Sequence, residues 1–151
     1  MILDKIRPVF FAILALAFFH SSSFAAGTDP LIGVWYNQDK DAKIEIYKCG
    51  EKFCGKIVWL KNPKDDAGKE KLDTKNPDKD LRSKPIMGIN LLKGFTAEGD
   101  GEYEGGTIYN PKEGKTYSCE LKLKKAGKQL KVRGYIGISL IGKTQYWDRA
   151  E

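Results

Sequence analysis

The chain has 151 residues and a formal net charge of +6, with 30% charged and 11% aromatic residues. Its lysines are interleaved with aspartates and glutamates, a pattern that indicates a solvated surface and argues against a nucleic-acid-binding face. The one histidine, His20, falls in the amino-terminal segment. Once that segment is removed, the remaining chain has no histidine, so Ser–His catalysis, Cys–His catalysis and histidine-ligated zinc are excluded.

The amino-terminal segment has the composition of a secretory signal peptide. Lys5 and Arg7 precede an apolar run over 9–19, and small residues follow up to Ala25. Eleven apolar residues are too few to span a bilayer, so we predict a signal peptide over 1–25, cleaved near Ala25. The mature domain, 26–151, is then exported, either periplasmic or secreted, and carries a net charge of about +5.

Short segments with alternating polarity, separated by turn residues, fill most of the mature chain. This pattern predicts an all-β fold: a single up-and-down antiparallel barrel of about eight strands. Its clearest alternation places Tyr117, Cys119, Leu121 and Leu123 on one face. The predicted strands are 32–37, 42–49, 53–61, 85–95, 103–109, 115–124, 129–136 and 143–149.

The first and last strands carry residues suited to closing the barrel. Gly33 and Trp35 open the first strand, and Arg149 ends the last. The guanidinium of Arg149 can stack on the indole of Trp35, and glycine permits close approach. This Gly-x-Trp opening with a late arginine resembles the signature of the lipocalin and calycin barrels.

Two of the three cysteines flank the predicted hairpin between strands two and three. Cys49 and Cys54 are positioned to form a disulfide in an oxidising compartment. Cys119 is then a buried free thiol.

The segment from Asn62 to Lys84, between strands three and four, is long, charged and rich in turn residues. We predict that it covers one end of the barrel, with a short helical turn over 77–82. Its acids lack the spacing of a calcium loop, so no metal site is predicted there. Those acids are Asp65, Asp66, Asp73, Asp78 and Asp80.

Two functions remain open. In the first, the barrel is a non-catalytic carrier that binds a small lipophilic ligand in its interior without a cofactor. In the second, the barrel is filled, and the protein is an envelope accessory protein that binds a protein partner through its surface or through the 62–84 segment. The inward faces lack paired carboxylates, and the strand acids Glu45 and Asp148 are simply explained as surface residues, so an enzyme is not expected. The candidate ligand-lining residues are Trp35, Ile44, Ile46, Ile57, Trp59, Met87, Tyr109, Tyr117, Leu121 and Val132.

Several local motifs, spread over nearly the whole mature chain, resemble a family of small exported bacterial proteins known only as a domain of unknown function. They include Gly33-Val34-Trp35, the run from Cys54 to Leu60, and the run from Asp73 to Pro77. Arg133-Gly134-Tyr135 and the run from Gly142 to Gln145 also match. The resemblance implies a lipocalin-like barrel and supplies no catalytic residues.

Overall fold

The structure, a computed structural model, describes residues 27–150, so the predicted signal peptide and His20 lie outside the described residues. Eight strands pair antiparallel in sequence order and close into one barrel. Closure is made by the first and last strands, where Trp35 pairs with Arg149 and Tyr36 with Asp148. The strands are β1 (Gly33–Tyr36), β2 (Ala42–Cys49), β3 (Lys52–Leu60), β4 (Asn90–Gly99), β5 (Glu102–Asn110), β6 (Lys115–Lys124), β7 (Gln129–Tyr135) and β8 (Gly142–Arg149). The predicted all-β, up-and-down, lipocalin-like barrel is confirmed.

One predicted strand begins in the wrong place. The apolar run from Pro85 was expected to be strand, but β4 begins at Asn90. The chain turns at Gly88, which has a positive φ of 89°, and Pro85 pairs with Leu72 of the preceding segment. Residues 85–89 therefore close the long connection instead of extending the sheet, because an apolar run alone does not reveal a turn.

The up-and-down order gives the barrel two different ends. The closed end carries the tight connections 50–51, 100–101 and 125–128, together with residues 29–32. The open end carries the longer connections 37–41, 61–89, 111–114 and 136–141. Within residues 27–150, no helix is long and apolar enough to cross a membrane.

The closed end is sealed by the predicted arginine–tryptophan pair. The Arg149 guanidinium carbon lies 4.1 Å from the centre of the Trp35 ring, within cation–π range. The same guanidinium donates hydrogen bonds to the carbonyl oxygens of Gly127, Ile32 and Pro30. A Cβ at Gly33 would lie 2.6 Å from Arg149 Nη1, so only glycine leaves room for the arginine. The stack predicted from the sequence is confirmed.

The cysteines also follow the prediction. Cys49 and Cys54 are bonded across the β2–β3 hairpin, with Cα atoms 5.8 Å apart. Cys119 is free and 1% exposed, and burial raises the pKa of its thiol to about 12. The thiol is therefore protonated and inert at neutral pH.

The 62–84 segment is ordered by its own turns and by the open-end rim. It contains a 3-10 helix over Lys79–Leu81, where the carboxylate of Asp78 accepts a hydrogen bond from the Asp80 amide. Asp73 accepts a hydrogen bond from the Tyr109 hydroxyl at 2.7 Å, and Lys75 Nζ donates to the Lys112 carbonyl oxygen at 2.8 Å. The segment is thus anchored to β5 and to the 111–114 connection. Among the described residues, the acids of this segment form no cluster able to hold a metal ion.

Candidate functional site

Three of the predicted ligand-lining residues lie in a part of the barrel that protein atoms fill. Trp35, Ile46 and Leu121 are 0%, 1% and 2% exposed. A side chain without accessible surface borders neither solvent nor a void large enough for water. A Cβ at Gly106 would lie 2.5 Å from the Phe95 ring, and one at Gly55 would lie 2.9 Å from Leu92. These residues are core, and they leave no surface there for a ligand.

The inner face becomes less crowded toward the open end. Ile57 and Val132 are still buried, at 6% and 2%, whereas Ile108, Tyr117 and Gly134 are partly exposed. A Cβ placed on Gly134 would meet Ile108 Cγ2 at 3.4 Å and Tyr117 Cβ at 3.7 Å, which are ordinary contacts. These three residues form a partly exposed inner surface above the packed core, and we call this surface the open-end hollow.

Polar groups stand beside this hollow. The Tyr117 hydroxyl donates to Glu113 of the 111–114 connection, and this bond raises the pKa of Tyr117. Gln145, paired with Val132 across β7 and β8, accepts a hydrogen bond from the Trp147 indole at 3.0 Å. An apolar depression with a few oriented polar groups is the usual form of a small-molecule site.

Met87 and Tyr109 belong to the partly buried apolar residues that pack against the core. Met87 lies in the turn before β4, and Tyr109 lies near the end of β5. Burial first, and the Asp73 carboxylate second, raise the pKa of Tyr109 to about 12. Tyr109 thus serves as the anchor of the 62–84 segment. Several other members of this group also lie at the open end: Leu60, Ile86, Ile89 and Ile108.

The inward orientation predicted for Trp59 is wrong. Lys43 pairs with Trp59 and Ile44 with Ile57, so Val58 is an extra residue in β3. Such a bulge reverses the alternation of the residues beyond it. Trp59 is 37% exposed on the outer face, where its ring meets Tyr36 edge-on at 6.2 Å. Lys43 Nζ lies 5.5 Å from the Trp59 ring centre.

Two further clefts formed by described residues lie outside the barrel interior. One, of about 330 Å³, lies along the 62–84 segment and ends at Ile86. The other, of about 210 Å³, lies over β5, β6 and β7 and is lined mainly by lysines and glutamates. The Lys122–Glu102 ion pair in this cleft is partly exposed and lowers the pKa of Glu102.

The connection between β7 and β8 was given no role by the sequence interpretation, which placed Ile136 in the seventh strand, whereas β7 ends at Tyr135. Ile136, Ile138, Leu140 and Ile141 are 69%, 58%, 86% and 68% exposed. Connecting segments are usually polar, so an apolar run between two strands at 136–141 is the signal that could have identified this loop.

The comparisons with known proteins agree with the observed barrel. A solved structure described as protein HP1028 from the human pathogen Helicobacter pylori, belonging to the lipocalin family, superposes with a TM-score of 0.70. The two chains are 26% identical over 82% of this chain and 85% of that one. No curated protein matches the chain significantly. The model of a family described as an uncharacterized protein conserved in bacteria (DUF2147) matches residues 33–149. The chain therefore belongs to this bacterial family, and its fold is a lipocalin-like barrel.

Proposed function

We propose that this protein is an exported, non-catalytic binding protein that holds a small lipophilic ligand at the open end of its barrel. The observation that carries the proposal is the distribution of incompletely buried apolar side chains. Ile108, Tyr117 and Gly134 surround the open-end hollow, and Ile86 and Met87 remain partly exposed beside the 62–84 segment. A bound apolar molecule would cover this surface.

The fold supports this proposal at a coarser level. A lipocalin-like fold suggests small-ligand binding, and the similar structure from Helicobacter pylori is described as a lipocalin. The closed-end half of the barrel is fully packed by side chains such as Trp35 and Phe95, which favours a shallow site over a deep one. The proposed site is therefore the open-end hollow and does not extend into the rest of the barrel interior.

The absence of catalysis and the export are parts of the same proposal. The single histidine lies in the proposed signal peptide. The buried carboxylate of Asp73 is engaged by Tyr109 and by Asn76, which suits a structural role. Cys119 is a buried, protonated thiol and is therefore a poor nucleophile.

The test is to fill the hollow without adding apolar surface outside it. Gly134→Leu places a side chain between Ile108 and Tyr117, so binding of a fluorescent fatty acid should weaken about tenfold or more. Ser118→Leu adds the same side chain on the exposed outer face of β6 and should bind like the wild type. Equal affinity in both variants, or no saturable binding by the wild type, would contradict the proposal.

A protein-binding role through the 62–84 segment is the second candidate. The outer cleft along this segment and the exposed side chains of Leu72 and Leu81, at 39% and 43%, favour it. Photo-crosslinking from position 72 in intact cells tests this role. A specific crosslinked protein, together with no saturable ligand binding by the wild type, would favour this function over the carrier.

A further inference from the structure

The loop joining β7 and β8 holds four aliphatic side chains that are mostly exposed to solvent and do not contribute to the core. Leu140 is 86% exposed, and Ile136, Ile138 and Ile141 are at least 58% exposed. All four lie within six residues at the open end of the barrel. Contiguous exposed apolar surface of this kind marks a contact site.

This loop is held against the barrel by hydrogen bonds to side chains on the outer face of β6 and β7. Arg133 Nε donates to the Ser139 carbonyl oxygen at 2.7 Å, and Arg133 Nη1 donates to Thr144 Oγ1 at 2.7 Å. The Ser139 hydroxyl donates to Glu120 Oε1 at 2.9 Å. The Ile141 amide donates to the Ile138 carbonyl oxygen at 3.0 Å. The one polar side chain of the loop is thus bonded to the barrel, while the aliphatic side chains face outward.

The sequence on either side of the loop is rich in basic residues. Between Leu121 and Trp147 there is no aspartate or glutamate. Exposed Lys143 directly follows the loop. Of the seven basic residues of this stretch, Arg133 and Lys143 lie nearest the loop, whereas Lys125 and Lys128 lie in the connection at the closed end. Lys122, Lys124 and Lys131 line the cleft that they share with Glu102, Glu104 and Glu120.

We propose that the 136–141 loop inserts its aliphatic side chains into the interfacial region of a membrane that carries anionic headgroups. Apolar side chains that enter the acyl boundary, next to basic residues at the headgroups, are the features of interfacial membrane binding. The exposed Lys143 at the start of β8 is complementary in charge to such a surface. Docking by this loop turns the open end of the barrel toward the lipid.

A lipid surface fits the loop better than a protein partner does. A stable protein interface buries about 800 Å² on each partner, which is more than a six-residue tip offers by itself. Protein hot spots are enriched in tryptophan, tyrosine and arginine, and leucine is under-represented among them. Residues 136–141 are Ile-Gly-Ile-Ser-Leu-Ile and supply none of these anchors.

The proposal is tested by co-sedimentation with vesicles of phosphatidylcholine alone and of phosphatidylcholine mixed with phosphatidylglycerol. Every variant is made in the full chain and processed by the same host, so the amino-terminal segment contributes equally. Wild type should bind the mixed vesicles, and Leu140→Ser should weaken binding about tenfold or more. Lys143→Gln should weaken binding at low salt only, because salt screens the attraction.

Matched variants separate docking from general surface hydrophobicity. Leu81→Ser removes an exposed leucine from the 3-10 helix and should leave vesicle binding unchanged. Gly134→Leu should also leave it unchanged, so failure of ligand binding and failure of membrane docking are distinguishable. In a second readout, Leu140→Trp should shift tryptophan emission to the blue on vesicle addition, whereas Leu81→Trp should not.

Three results would overturn the proposal. They are no sedimentation of wild type with mixed vesicles, equal sedimentation with both compositions, and equal weakening by Leu140→Ser and Leu81→Ser. Sedimentation velocity without lipid supplies a further check. A dimer that Leu140→Ser abolishes, in protein that binds no vesicles, would assign the loop to a second copy of this chain instead.

Discussion

Tyr109 on β5 donates a hydrogen bond of 2.7 Å to Asp73, the buried acid of the 62–84 segment, which is 2% exposed. The other carboxylate oxygen of Asp73 accepts from Asn76 Nδ2 at 2.7 Å. The Asp73 amide donates to the Lys84 carbonyl oxygen at 2.9 Å, which joins the two ends of the segment's second half. One buried carboxylate therefore organises the segment and fixes it to the barrel.

Removing the Tyr109 hydroxyl should loosen this segment. Tyr109→Phe leaves the buried Asp73 carboxylate with one partner fewer, and we expect a loss of about 1–3 kcal/mol in unfolding free energy. Limited proteolysis should then cut within 62–84 faster than in wild type. Tyr47→Phe, which removes an exposed hydroxyl bonded to Asn90, is the matched control. Equal proteolysis of the two variants would show that Tyr109 does not anchor the segment.

The same tyrosine gives stability a dependence on alkaline pH. Burial and Asp73 raise the pKa of Tyr109 to about 12, from about 10 in the unfolded chain. A raised pKa favours the protonated form in the folded state, so this contribution is complete below about pH 10 and is lost as the pH rises toward 12. The urea midpoint of wild type should fall over this window. The fall should be shallower in Tyr109→Phe, and parallel curves would refute the assignment.

Arg149→Ala should destabilise the closed end. The variant loses the stacking on Trp35 and the hydrogen bonds to three carbonyl oxygens, so we expect at least about 2 kcal/mol in unfolding free energy. Lys40→Ala removes an exposed ion pair with Asp148 and should have little effect. A denaturation midpoint that is unchanged in Arg149→Ala would mean that the stack adds nothing to stability.

The cysteines should react in a fixed order. Native protein should resist alkylation, because Cys119 is 1% exposed and its pKa is raised to about 12. Unfolded protein without reductant should gain one label at Cys119, and reductant should expose Cys49 and Cys54 as well. Intact mass gives these counts. Three labels without reductant would show that the disulfide is absent.

The parts of the fold that could be predicted follow from regular alternation. Strand β6 matches its prediction at both ends, Lys115 and Lys124, because its polar and apolar residues alternate without interruption. The orientation of Trp59 could not be predicted, because the bulge at Val58 arises from pairing with β2 and leaves no composition signal. The open-end hollow likewise depends on how completely the side chains below it fill the barrel. The strand pattern identifies inward residues and does not determine the remaining space.

That remaining space can be measured with three glycine substitutions on the inner face. Gly55→Ala and Gly106→Ala would place a Cβ within 2.9 Å of Leu92 and 2.5 Å of Phe95, where the core has no room. Overpacking should cost each variant about 1–3 kcal/mol in unfolding free energy. Gly134→Ala meets its neighbours at 3.4 Å or more, and alanine is better than glycine in a strand, so its stability should be unchanged or higher by about 0.5–1 kcal/mol. Urea unfolding of the three variants gives the comparison. If Gly134→Ala is destabilised as strongly as the other two, the barrel is filled to its rim and a ligand cannot occupy the hollow.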